Sequence, residues 1–317
     1  MTKQEIIKNL QDNLNNNGVF LNKFRDIHNL MRLNICSINN KCGAHYYGYW
    51  VKNINGLDWA LKVYNGEGVP KEFYYELLSE RIAKAMFFET INSKIVKYSN
   101  DSNLYGIISQ DYRYTHQGYD IVTGREIVED YLDRRNDINP EEINVNSLPI
   151  IYEALNYHFH KKDGLYRYEK MKADNIIENI FGELAKRYVF NYITMQKDFH
   201  LGNWELFENE QGAIITPMYD MELCFNRNFY DERNTSLKAS ADKSLSYDED
   251  FKLFYNLNGN LVKTMMYILN PDNIVQYINS IPGMPDELKK DILETFLEHY
   301  EKIETIISEK EKNISFS

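Results

Sequence analysis

Cysteine is scarce in this chain: Cys36, Cys42 and Cys224 are odd in number and form no C-x-x-C pair. That excludes a disulfide scaffold and a closed four-ligand zinc site, so reduced thiols are expected. Long apolar runs are absent. No stretch approaches the roughly 18 residues that a membrane-spanning helix needs. The opening MTKQEIIKNLQDNLNNNG lacks the apolar core and small-residue cleavage site of a secretory signal. A cytoplasmic protein without a membrane partner is therefore expected, with a secreted effector lacking a signal peptide as the alternative. Positive charge is in deficit: 36 Lys and Arg stand against 47 Asp and Glu, a formal net charge of −11. Nucleic-acid binders display a basic face to phosphates, and no Lys/Arg run is visible, so no direct nucleic-acid partner is expected. Internal repeats are missing too.

What is present is an ordinary globular composition, 43% hydrophobic and 26% charged, in a length that suggests about two lobes. An N-terminal helix over 3–14 is expected to end in the Asn-rich patch 13–17. Residues 45–52 (HYYGYWVK) and 57–64 (LDWALKVY) read as strands, with the hairpin signal Asn55-Gly56 between them. Pro70 opens a helical pattern with Phe73, Leu77, Ile82, Ala85 and Met86 at helical spacing. Strands are expected at 91–98 and 104–109. Beyond Gly118 the pattern turns helical, with helices over 125–135, 147–159 and 174–194 and through the last seventy residues, broken near Pro271 and at Ile281-Pro282-Gly283. The fold class is thus α+β, a small β-rich part before a larger helical one. The division is placed at 1–112 (N-terminal helix, hairpin, helix and hinge strand) and 113–317 (helices, catalytic loop and metal-binding turn).

Phosphoryl transfer asks little covalent chemistry of a protein. It needs a carboxylate for the acceptor hydroxyl, oxygen ligands for Mg²⁺ and a cation on the nucleotide phosphates. Asp198 and Asn203, in KDFHLGNW, have the Asp-x-x-x-x-Asn spacing of a kinase loop. Asp12/Asn17 and Asp174/Asn179 share that spacing. Only Asp198 follows a long apolar helix and precedes two short strands, 204–207 and 213–217, after which Asp220 arrives. His200 reads as a loop histidine that helps Asp198 point correctly, and is placed with the catalytic set. Glu222 is open between a supporting carboxylate and a surface one. Upstream, Lys62 lies inside the apolar strand WALKVY, where an ammonium needs a partner. Such a lysine bridges phosphates and a helix glutamate in kinases. Glu76 and Glu80 are candidates, one helical turn apart. Gly43 and Gly48 could let the backbone approach phosphates.

Taken together, ALKVY, YYELLSERIAKAMFF and KDFHLGNW followed by ITPMYDMELCF resemble the HipA-like serine/threonine kinases, in their short CtkA-type form. The family loop reads approximately N-x-D-R-H-x-x-N and the later turn P-x-x-D, here Pro217 to Asp220. The resemblance covers about residues 41–225. It implies a bilobal protein-kinase-like fold and the cofactors ATP and Mg²⁺. Asp198 would be the base, Asn203 and Asp220 the metal ligands, and Lys62 with Glu76 the phosphate-binding pair. Ser109, Gln110 and Asp111 would be the hinge that meets adenine through its backbone. It also implies a protein substrate with a Ser/Thr acceptor and a possible antitoxin-like partner. Phe199 stands where the family usually has Arg, with Lys197 nearby. Other readings are a small-molecule kinase, which usually carries His where Gln196 stands, a nucleotide-binding pseudokinase, and a metallohydrolase using Asp198, His200 and Asp220.

Overall fold

Residues 46–52, 58–64, 68–97, 105–110, 112, 116, 118–135, 147–160, 168–196, 200–225 and 247–315 are described by a computed structural model of the chain. The expected N-terminal helix, Gly43, the Asn55-Gly56 turn, Asp111 and the 197–199 stretch with Asp198 lie outside them. The chain divides into two compact units, Met1–Glu80 with Ile91–Gln117, and Arg81–Thr90 with Gly118–Ser317.

In the first unit, β1 (Tyr46–Lys52) and β2 (Asp58–Tyr64) pair antiparallel from Tyr46↔Tyr64 to Lys52↔Asp58, where the aromatic and β-branched runs predict strands. Pro70 immediately precedes α1 (Lys71–Ala85), as its fixed φ and missing N–H favour. Then come β3 (Ser93–Lys97) and β4 (Tyr105–Gln110), giving a sheet in the order β1-β2-β4-β3. Phe73 from α1 and Ile107 from β4 are buried together, with Tyr64, Val69, Leu77 and Ile95 packed around them. Each large apolar side chain so buried contributes about 1.5–3 kcal/mol. Burial, with Tyr105 beside it, pushes the Tyr74 phenol above its ordinary value, so that ring stays neutral at physiological pH.

The second unit takes the last turn of α1. Phe87, in the left-handed region at φ 64°, ends that helix, and Phe88 packs edge-on against Phe190. The expected helix at 125–135 is present, but the sequence reading has no strand between Gly118 and it. A strand, β5 (Asp120–Thr123), comes first and pairs with β6 (Glu205–Asn209), which pairs with β7 (Gly212–Ile215). Four residues are too few for alternation to register, and the strand exists because β6 offers it an edge. Next are α2 (Gly124–Asp133), α3 (Leu148–His160) and α4 (Lys170–Ile193). Helix α2 starts at a capping box: the Thr123 hydroxyl accepts the Glu126 N–H, and the Glu126 carboxylate accepts the Thr123 N–H. Ile127, Leu155, Phe159, Ile177, Leu184, Trp204 and Leu206 join α2, α3, α4 and the hairpin in one core. The chain closes with α5 (Tyr247–Ile268), α6 (Pro271–Asn279) and α7 (Asp286–Ser315). The α7 residue His299 donates through Nε2 to the Tyr192 carbonyl at the end of α4. No helix among the described residues is long and apolar enough to cross a membrane.

Candidate active site

The site elements of the second unit follow from how α4 stops. Thr194 N–H still reaches the Phe190 carbonyl (2.9 Å), while Gln196 N–H reaches back five residues to Asn191 (2.8 Å). Met195 between them is left-handed at φ 58°, a position usually given to glycine. The chain re-enters at His200, whose backbone carbonyl accepts the Asn203 N–H (2.9 Å) in a tight turn. His200 Nδ1 accepts the Gly202 N–H (2.9 Å), so in the neutral ring the proton sits on Nε2. A Cβ on Gly202 would stand 2.8 Å from the His200 ring, which is why no larger residue fits there. Trp204 then anchors the hairpin in the core. Its indole lies where a Cβ on Gly124 would sit, and its carbonyl accepts the Gly124 N–H (3.0 Å).

After β7 the segment from Thr216 to Asp220 is held residue by residue. Thr216 N–H donates to the Glu205 carbonyl, and Met218 N–H to Glu89, with Thr90 bridging Met218. Thr216's carbonyl accepts from the buried guanidinium of Arg187 on α4. Tyr219 Oη donates to the Gly202 carbonyl (3.0 Å), tying this turn to the loop that bears Asn203. Gln196 Nε2 donates to the backbone carbonyl of Asp220 (2.9 Å). Asp220 is itself left-handed at φ 58°, a conformation that costs a non-glycine residue about 1 kcal/mol or more and persists only where its surroundings fix it. Arg187, Asn191, Gln196, Asn203, Met218, Tyr219 and Met221 line one small cleft with room for about one water molecule. The loop and the metal-turn candidates are thus brought together within this unit. By contrast Asp174 and Asn179 both lie inside α4, with Asp174 paired to His160 (2.9 Å), so that match to the kinase spacing is not a loop.

Behind the hairpin, His158 Nε2 meets Glu208 Oε2 at 2.9 Å with both side chains buried, joining α3 to β6. That pair sits on the core side of the hairpin and belongs to its support.

In the first unit Lys62 lies mid-strand, opposite Gly48 on β1 and Ile107 on β4, and is half-buried. Glu76 and Glu80 are both buried on α1. The Ser93 N–H stands 3.1 Å from each carboxylate oxygen of Glu80 and donates to it, and the Ser93 and Ser109 hydroxyls pair at 2.7 Å. Ser109 is flanked by Ala60 and Ser93 in the sheet. Gln110 pairs with Trp59, and the β3 ladder has ended beside it.

Sequence reasoning missed Arg187, Tyr219 and the role of Gln196. Each acts through a backbone carbonyl far along the chain, a relation that no local spacing encodes.

No family model and no curated protein matches the chain. Solved structures do. The proinflammatory kinase CtkA of Helicobacter pylori superposes with a TM-score of 0.55 at 14% identity, covering 85% of this chain and 95% of CtkA. HipA of Shewanella oneidensis MR-1, solved with HipB and its operator DNA, superposes with a TM-score of 0.56 at 13% identity, covering 98% of this chain and 72% of HipA. At these identities the likeness is one of fold. The chain is an α+β protein with the fold shared by CtkA and HipA.

Proposed function

We propose that this protein is an ATP- and Mg²⁺-dependent serine/threonine kinase of HipA-like type, with a bilobal division near residue 112. The observation that carries the reading is the Asn203 loop tied to the Asp220 turn by Tyr219 and Gln196 at the end of α4. Asp198 would accept the proton of the acceptor hydroxyl as its oxygen bonds to the γ-phosphorus and the bond to ADP breaks. His200, whose Nδ1 is committed to Gly202, supports that loop's shape. Asn203 and Asp220 offer only oxygen donors, which suits Mg²⁺, and these two would hold it. The ion, when bound, neutralises charge on the transferring phosphates.

Lys62 would lie on the nucleotide phosphates with Glu76 as its partner. The engagement of Glu80 by the Ser93 amide supports Glu76 over Glu80. The end of the β3 ladder beside Gln110 supports an adenine hinge running from Ser109 through Gln110 to Asp111. Gly43 is assigned to the phosphate loop on sequence alone. A cytoplasmic location is part of the same proposal, with a secreted effector as the alternative. An antitoxin-like protein partner is proposed by analogy with HipA, whose structure includes HipB.

The acceptor class is tested by phosphoamino-acid analysis of labelled protein beside a turnover screen of sugars and amino alcohols. Acid-stable phosphoserine or phosphothreonine is expected. Turnover confined to a small molecule would replace this reading with the small-molecule one, against which Gln196 already speaks, since it holds Asp220 where those enzymes usually place histidine.

A further inference from the structure

Arg187 is the one charged side chain among the residues that α4 buries. Taking a guanidinium out of water costs several kcal/mol, and a well-packed apolar residue at such a position is commonly as stable or more so. Packing alone therefore gives no reason for arginine here. Its location does. The guanidinium donates to the Thr216 carbonyl, four residues ahead of Asp220, and lines the cleft shared with Asn203 and Gln196. Gln196 grips the far end of the same segment at the Asp220 carbonyl. The two contacts bracket a segment that ends in a residue held at φ 58°, a conformation that persists only where its neighbours over-determine it.

We infer that Arg187 is a positioning residue for the metal ligands. It holds the Thr216–Asp220 segment so that the Asp220 carboxylate is presented in register with Asn203. Loss of the charge and fork releases one end of the bracket. The strained turn then relaxes, and the two oxygen donors no longer converge. This rests on the kinase reading, and its test is chosen to separate the two.

The probe is Mn²⁺ binding, followed by the electron-spin signal of the free ion, with and without ATP. Wild type, Arg187→Gln, Arg187→Lys and Asp220→Asn are compared well below their unfolding midpoints. Arg187→Gln keeps an amide donor and removes the charge; it is expected to weaken Mn²⁺ binding by about 10–100-fold. Arg187→Lys should fall between it and wild type. A purely structural arginine would lower the unfolding midpoint of both variants and leave the affinity of the folded protein alone. Folded Arg187→Gln with wild-type affinity overturns the inference. Should Arg187→Gln not fold, Arg187→Lys decides: weakened binding supports the inference and wild-type binding overturns it. If Asp220→Asn abolishes binding while the Arg187 variants do not alter it, only this inference falls. Wild type that binds no Mn²⁺ under either condition removes the kinase reading and the inference with it.

Discussion

The two units hold their functional candidates by different physical means. In the first, Lys62 is placed by strand register between β1 and β4, and Glu80 is tied by a backbone amide of β3. In the second, the Asp220 turn lies beyond the end of β7 and is held by separate side chains, Arg187, Gln196 and Tyr219, each reaching a backbone carbonyl or joining the loop to the turn. A ladder spreads its load over many hydrogen bonds, so one side-chain change leaves the strand in place. A turn held by individual contacts gives way at each of them. Geometry built by the ladder should therefore fail through stability, and geometry built by contacts should fail through function.

Substitutions at these contacts separate the two modes of failure. Asp220→Asn should lower phosphoryl transfer by about 10³-fold with the unfolding midpoint near wild type, measured by steady-state kinetics and thermal melts. Gln196→Ala removes the donor from the Asp220 carbonyl and should cost about 10–100-fold in Mn²⁺ affinity. Wild-type affinity in that variant would show that the turn holds itself. Glu80→Ala leaves the buried Ser93 amide without its carboxylate acceptor and should cost about 1–3 kcal/mol of stability by denaturant unfolding. Its kcat at a temperature where it stays folded should change little. A large loss of kcat with unchanged stability would assign Glu80, not Glu76, as the partner of Lys62.

The parts of the fold legible in sequence were those set by local pattern. The aromatic strands around Lys62, the helix opened by Pro70 and the long apolar α4 each carry their own periodicity. The hairpin predicted after it, at 204–207 and 213–217, is present as β6 and β7. β5 was not legible, because four residues take their structure from the edge of β6 rather than from alternation. Arg187 was not, because a charge within a helical pattern reads as solvent-facing, whereas here it is buried against Thr216. Gln196 showed only that a histidine was missing. Its bond to a carbonyl twenty-four residues away exists only once the hairpin has folded back. The resemblance alone favoured Glu76 over Glu80; the bond from the Ser93 amide to Glu80 was not legible, because it exists only once β3 lies beside α1.

Phosphoryl transfer by residues 198–220 is tested most directly by labelling. Wild type and Asp198→Ala, both checked for folding, are incubated with γ-labelled ATP and Mg²⁺ and with candidate protein acceptors. Label is expected on wild-type reactions and about 10²–10⁴-fold less with Asp198→Ala. Equal labelling by both proteins, or none by either, would contradict it.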